Sequence, residues 1–352
     1  MDKAAGAEPP AKEQGLSPRK DPPCGVTLTL IEQYEKPVIE KGSPGTDGNK
    51  YGFEGGCVLK LEGVYHLFTS EMVDDQLYMK MRLAHWTSPD GLTWTRRDTM
   101  YESSGELTGN DPRAALWAPI PVFNEEEGRW NVFYVAYRAP VGPDSSHGRL
   151  WRAASKTKGR GGIGGPWEDI GIILEPGPES QPWEGVGGTV SIFAYPVGRR
   201  WMGFYGSSDQ QTYWKIGLIS APRLAGPWKR VPDLNPVTLS RDQGTENPIV
   251  TRLKSGRYVA VFDTILNSPG KHYMADGNLI GYADSIDGLH WSIANQLKLD
   301  CEKLWAKDVR TPLGLVEEPN GTCTVFYTAL AKQERYWNVG MLRVRLSEIE
   351  KP

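Results

Sequence analysis

Thiols are scarce in this chain. Only four of its 352 residues are cysteine (Cys24, Cys57, Cys301 and Cys323), and none is spaced as C-x-x-C, which excludes a disulfide scaffold and a thiolate metal site. They read as buried, reduced thiols. Long apolar runs are missing too: no segment approaches the roughly 18 apolar residues needed to cross a bilayer. The start Met1-Asp2-Lys3-Ala4-Ala5 lacks the apolar centre of a signal peptide. The expectation is a chain with no membrane partner, cytoplasmic as written, and secreted or periplasmic if a leader has been removed. Charge of one sign is also not in excess. A formal net charge of −3 leaves no concentrated basic face for nucleic acid. No amphipathic helical pattern extends beyond about ten residues, so a helical fold is not expected.

Turn formers and aromatics are what the chain has in quantity. Forty glycines, 27 prolines and 13 tryptophans suit many short strands, and tryptophan supplies flat faces on which sugar rings stack. Residues 1–25, rich in Ala, Pro, Lys and Glu, cannot offset the entropy of ordering and read as a flexible N-terminal tail. Residues 26–39 are more apolar and read as a strand that closes the first or last unit of a repeat.

That repeat is clearest from Thr245 to Asp263, where Glu246 stands at the mouth of an apolar run that turns through Lys254-Ser255-Gly256-Arg257 and returns. Four other stretches share the outline, beginning at Phe53-Glu54-Gly55-Gly56, Leu116-Trp117-Ala118-Pro119, Gly187-Gly188-Thr189-Val190 and Val309-Arg310-Thr311-Pro312. Alternating apolar runs separated by Gly, Asp and Pro predict short antiparallel strands, four to a unit. Asn320-Gly321-Thr322 reads as a hairpin turn. Two outer phrases recur in register: Ser88-Pro89-Asp90-Gly91-Leu92-Thr93-Trp94 matches Ser285-Ile286-Asp287-Gly288-Leu289-His290-Trp291, and Gly165-Pro166-Trp167 matches Gly226-Pro227-Trp228. The fold expected is an all-β, five-bladed β-propeller with four antiparallel strands per blade. It forms a single domain over 26–352, with blades at roughly 53–104, 116–175, 187–238, 245–300 and 308–346.

Glu54 and Glu246 hold comparable positions in two of these units. Two carboxyl groups facing each other across a cavity are what glycosidic hydrolysis needs, one to protonate the leaving oxygen and one to activate water or attack the sugar. A separation of about 5–5.5 Å gives retention and about 6.5–9.5 Å inversion. The acid needs a raised pKa, which burial near Trp117 and Phe53 supplies. Arg310 lowers the pKa of a carboxylate it approaches, so its place is beside the base or on a sugar hydroxyl.

Across about residues 50–346 these features resemble the five-bladed propeller glycoside hydrolases, most closely family 43 and its relatives, as a divergent member. The resemblance implies a carboxylate base on blade one, an Asp on blade three that tunes the pair, and a Glu acid in an E-x-P motif on blade four. Thr245-Glu246-Asn247-Pro248 is similar to that acid motif, and Glu54 stands where the family has its Asp base. Trp117-Ala118-Pro119 resembles the family's blade-two W-A-P, with Ile120 in place of the usual Asp. The blade-three Asp falls near Thr189, so the third catalytic carboxylate is sought in Glu184 or Asp111. Asp111-Pro112-Arg113 resembles the R-D-P-like turns of related fructan-cleaving families.

Candidates for binding substrate are Trp117, Thr189, Asn247, Arg310, His272, Glu71 and Asp263. No cofactor or metal is demanded, although a structural calcium ion is compatible with the resemblance. The expected function is an exo-acting glycoside hydrolase working on a terminal furanoside or pyranoside of the arabinose, galactose or xylose type, with an oligosaccharide or glycoside as partner. Two alternatives remain open. One is a propeller glycoside phosphorylase with Arg113, Arg310 and His272 around phosphate; the other is a non-catalytic carbohydrate-binding propeller.

Overall fold

Apolar alternation of period two, interrupted by glycine turns, yields twenty strands and two short 3-10 turns among the described residues. The computed structural model describes residues 23–75, 80–106, 108–138, 147–208, 214–240, 243–266, 279–300, 305–332 and 334–349. Most of the expected tail, Cys301 and His272 lie outside them.

Strand β1 (Val26–Gln33) comes first. It is followed by β2 (Gly52–Leu61), β3 (Val64–Met72), β4 (Met81–Ser88) and β5 (Thr95–Glu102). Next are β6 (Ala115–Asn124), β7 (Arg129–Tyr137), β8 (Arg149–Lys158) and β9 (Trp167–Leu174), then β10 (Val190–Val197), β11 (Arg200–Ser207), β12 (Lys215–Ala221) and β13 (Lys229–Arg230). The chain continues with β14 (Gln243–Arg252), β15 (Tyr258–Leu266), β16 (Leu279–Ser285) and β17 (Asn295–Lys298), and ends with β18 (Ala306–Glu317), β19 (Cys323–Ala331) and β20 (Trp337–Glu348).

β6–β9, β10–β13 and β14–β17 each form a four-stranded antiparallel sheet, while β18–β20, β1 and β2–β5 belong to one eight-stranded sheet. The halves of that larger sheet meet at a single parallel pair, Gly52 with Trp337. β1 instead runs antiparallel along β20, from Val26 opposite Glu348 to Gln33 opposite Leu342.

Tight turns follow from residues that accept positive φ. Glu62 and Gly63 have φ of 50° and 86°, the pair of left-handed conformations that a type I′ hairpin uses to match strand twist. The repeated Ser-x-Asp-Gly phrases are self-bracing turns. Asp90 Oδ1 accepts from the backbone N–H of Leu92 (2.8 Å) and Thr93 (2.7 Å), and Asp287 Oδ1 accepts from Leu289 and His290 at 2.8 Å each.

Neighbouring sheets bury their apolar faces against each other in a closed circuit. Phe53, Leu67 and Trp86 meet Leu313, Phe326 and Met341; Phe68 meets Trp130 and Val132. Phe133 and Val135 meet Ile192 and Tyr205; Phe204 and Leu218 meet Ala260 and Phe262; Val259 and Val261 meet Val309 and Tyr327. Each fully buried side chain of this size contributes about 1.5–3 kcal/mol. The first strands, β2, β6, β10, β14 and β18, also touch in sequence, and β18 returns to β2. That ring brings the starts of the repeated units together.

Candidate active site

Each first strand is broken at a matching place. Pairing with the next strand slips between Glu54 and Gly56 in β2, Trp117 and Ile120 in β6, Val190 and Phe193 in β10, Glu246 and Ile249 in β14, and Val309 and Pro312 in β18. The residue after the last regular pair is left-handed in four of them: Gly55, Ala118, Ser191 and Asn247 have φ of 63°, 48°, 45° and 50°. A bulge of this kind bends the strand and re-aims the side chains beside it. Small side chains let the bulges approach: a Cβ on Gly55 would lie 3.2 Å from that of Ala118, and Ser191 Oγ donates to Asn247 Oδ1 at 2.5 Å. The last regular positions thus hold Glu54, Trp117, Val190, Glu246 and Val309, with Arg310 and Thr311 inside the β18 irregularity.

Three carboxyl groups and one guanidinium gather there. Glu54 is 1% exposed and its Oε1 accepts from Arg310 Nε at 2.8 Å and Thr311 Oγ1 at 2.9 Å. Arg310 Nη2 lies 3.8 Å from Glu246 Oε2. Asp263, on β15, is the direct cross-strand partner of Glu246. Its Oδ2 is 3.1 Å from Asn247 Nδ2 and 3.2 Å from Thr311 Oγ1. Glu54 Oε2, Glu246 Oε2 and Asp263 Oδ1 are buried and make no hydrogen bond.

One cation cannot neutralise three buried anions, and like charges directly across a strand pair repel. Burial pushes Glu246 up to about 7, with Arg310 pulling down and Glu54 adding to the rise. Burial first, then Glu246, also hold Asp263 well above the usual carboxylate range. The arrangement therefore couples an ion-paired carboxylate to a carboxylic acid that keeps its proton near neutrality.

Of the residues singled out in the sequence, Glu54, Glu246, Asn247, Asp263 and Arg310 come together. Trp117 holds the matching position on β6, partly exposed and packed against the core between the second and third sheets. The structure places the others elsewhere. Glu184 sits in a separate ion pair, where its oxygens take Arg230 Nε at 2.6 Å, Arg230 Nη2 at 2.8 Å and Tyr205 Oη at 2.8 Å. Asp111 accepts from Ser104 and from the N–H of Arg113 (2.8 Å), bracing an exposed turn. Glu71 is fully buried on β3 against Arg82, Arg96 and the Trp86 indole (2.8 Å), so it is not available to a sugar. Thr189 Oγ1 lies within hydrogen-bonding distance of the carbonyls of Gly148 (3.1 Å) and Leu174 (3.2 Å), and the matching position on β10 is Val190, one residue later.

Arg113 pairs with Asp169 at 2.5 Å and is not part of the cluster. Thr311 and Ser191 were not anticipated; the only signal was the Pro two residues past Arg310, repeating Glu246-Asn247-Pro248. Among the described residues no group of three His, Cys, Asp or Glu side chains is placed to hold a metal ion.

Solved structures share this architecture. A thermostable family-43 glycoside hydrolase superposes with a TM-score of 0.59 at 16% identity, covering 88% of this chain and 98% of that one. The fold is that of the propeller glycoside hydrolases. An α-L-arabinofuranosidase from Lactobacillus brevis matches this propeller at 0.58 and 13% identity, over 84% of this chain and 92% of that one. The GH43_1 enzyme from Xanthomonas citri complexed with xylotriose matches at 0.55 and 12%, over 88% and 90%. No protein-family model and no curated protein matches the sequence. At such identities the likeness establishes the fold, while the chemistry has to be argued from the cluster.

Proposed function

We propose that this chain is an exo-acting glycoside hydrolase of terminal arabinose-, galactose- or xylose-type sugars. In this reading the closed ring of first strands is a five-bladed propeller in one domain, with β1 completing the last blade. Glu246 is the general acid and Glu54 the general base or nucleophile. The observation that carries the reading is the Glu54–Arg310–Glu246 cluster. Two buried carboxyl groups on different sheets share one guanidinium, and only one of them has it at hydrogen-bonding distance. Glu54 is thereby the ion-paired member of the cluster, while Glu246, pushed up to about 7, carries a proton to the leaving oxygen. Such unlike environments separate an acid from a base. Trp117 offers an aromatic face for the sugar ring, and Asn247 and Arg310 offer donors for its hydroxyls.

Phosphorolysis is less well supported, because Arg113 is engaged by Asp169 and Arg310 by Glu54. The test is hydrolysis of aryl arabinofuranosides, xylosides and galactosides by wild type, Glu246→Gln and Glu54→Gln. General acid catalysis is worth about 10²–10⁴-fold, so Glu246→Gln loses that factor on leaving groups of high pKa and much less on dinitrophenolate. A Glu246→Gln protein as active as wild type on a poor leaving group would show the assignment to be wrong.

A further inference from the structure

Counting hydrogens at the axis gives a stronger result than counting charges. Thr311 Oγ1 is within reach of both Glu54 Oε1 (2.9 Å) and Asp263 Oδ2 (3.2 Å), yet a threonine hydroxyl has one hydrogen to give. If both carboxyl groups were anions, one of those contacts would set lone pairs against each other. Asp263 is 3% exposed, its Oδ1 makes no hydrogen bond, and its one other donor among the described residues is the Asn247 amide. A buried carboxylate so poorly supplied with donors is unfavourable.

Among the described residues the charged groups facing it are Glu246 across the strand pair, Glu54 from β2 and Arg310 from β18. Arg310 is bonded to Glu54 instead. From β10 the nearby positions are the uncharged Val190 and Ser191.

We propose that Asp263 is a neutral carboxylic acid at neutral pH, donating from Oδ2 to Thr311 Oγ1, which donates in turn to Glu54 Oε1. The proton satisfies every short contact in the cluster. Asn247 Nδ2 donates to Asp263 Oδ2, Asp263 to Thr311, and Thr311 and Arg310 to one oxygen of Glu54, which leaves Glu54 Oε2 as the oxygen open to reaction. Neutral Asp263 also places no negative charge opposite Glu246. Asp263 is then a positioning residue and not a sugar ligand, and it differs from an anionic tuner in the sign of what it does.

The inference rests on Glu54 and Glu246 as the acid–base pair, so its test includes a measurement that needs no turnover. At about pH 8, where ordinary carboxyl groups are ionised, the infrared spectrum of the wild-type protein should contain a protonated-carboxyl C=O band. That band should shift when aspartate is 13C-labelled, disappear in Asp263→Asn, and move to higher frequency in Thr311→Val, which removes its acceptor. In pH profiles of kcat/KM, Asp263→Asn replaces one neutral donor by another. Whatever its rate, its alkaline limb should stay within about 0.3 pH unit of wild type. Absence of a labelled protonated-aspartate band in the wild type overturns the proposal, as does its persistence in Asp263→Asn. So does an alkaline limb lowered by about one pH unit or more, the mark of a lost anion. If Asp263→Asn does not fold, the labelled wild-type spectrum decides alone. Failure here leaves the glycosidase reading intact, whereas failure of Glu246→Gln to lose activity leaves the infrared result intact.

Discussion

Replacing the proposed acid should make the protein more stable, and the gain should depend on pH in a calculable way. Glu246 is 8% exposed and is pushed from the usual 4.5 to about 7. The folded state therefore holds this proton more tightly than the unfolded state. Its stabilising effect is fully present below about pH 4.5 and is lost as pH rises through about 7. At 1.36 kcal/mol per pH unit the loss amounts to about 3 kcal/mol. Glu246→Gln keeps the shape of the protonated side chain but has no proton to lose. Urea unfolding of wild type and variant should thus agree to within about 1 kcal/mol near pH 4.5 and diverge to about 3 kcal/mol in favour of the variant above pH 7.5. In thermal melts the same difference appears as roughly 4 °C for a domain of this length. Activity should fall as stability rises, as expected where a site retains an unfavourable group for its chemistry. A stability difference that is the same at pH 4.5 and pH 8 would refute the argument, since it would mean that Glu246 titrates alike in the folded and unfolded chain.

Three further outcomes can be checked. His66 and His85 stack, 3.0 Å apart between ring nitrogens, and burial lowers them to about 4 and about 3. Both are neutral in the fold, so stability should fall as pH drops from 6.5 towards those values, by up to about 1.4 kcal/mol per pH unit for each ring. His85→Phe should flatten that slope in urea titrations at pH 4.5 to 7, and an unchanged slope would count against the pair. Glu71→Gln strips the charge shared by Arg82 and Arg96. It should destabilise by about 3–5 kcal/mol in calorimetry without moving the pH profile of any activity of the folded protein. Gly55→Ala meets both a φ of 63° and an Ala118 Cβ at 3.2 Å; it should cost about 1–3 kcal/mol and reduce kcat by disturbing Glu54, while Gly63→Ala, with nothing within 4 Å, should leave kcat untouched.

The strand pattern was legible because it is local: alternation, glycine turns and the recurring Asp turns are each encoded within a few residues. Glu246 could be read for the same reason, since Asn247 and Pro248 mark its bulge. Glu184 and Glu71 could not, because their environments depend on Arg230, 46 residues away, and on Arg96, 25 residues away. On β10 the matching position falls one residue past Thr189. A strand alternates its faces, so a slip of one moves a side chain to the opposite side. The bulge that shifts β10 shows only in the pairing of Val190 with Gly206. Thr311 was hidden in another way, as an ordinary β-former whose importance comes from two acidic neighbours more than 45 residues distant.

The Glu54–Arg310 bond joins residues 256 apart and crosses the seam where β18–β20 meet β2–β5. The same seam carries one parallel backbone pair, the Lys60–Glu318 ion pair at 2.7 Å, the backbone bridge between Ile39 and Val339, and β1 lying along β20. A strand from the first tenth of the chain must therefore wait for one from the last before the circle can shut. Long loop closure of this kind is slow, and the Glu54–Arg310 contact does not exist until it is complete. If the proposed function holds, glycosidase activity becomes a reporter of closure: during refolding it should lag behind the fluorescence of buried tryptophans, and in mild denaturant it should vanish before them, as the seam parts while the separate sheets persist.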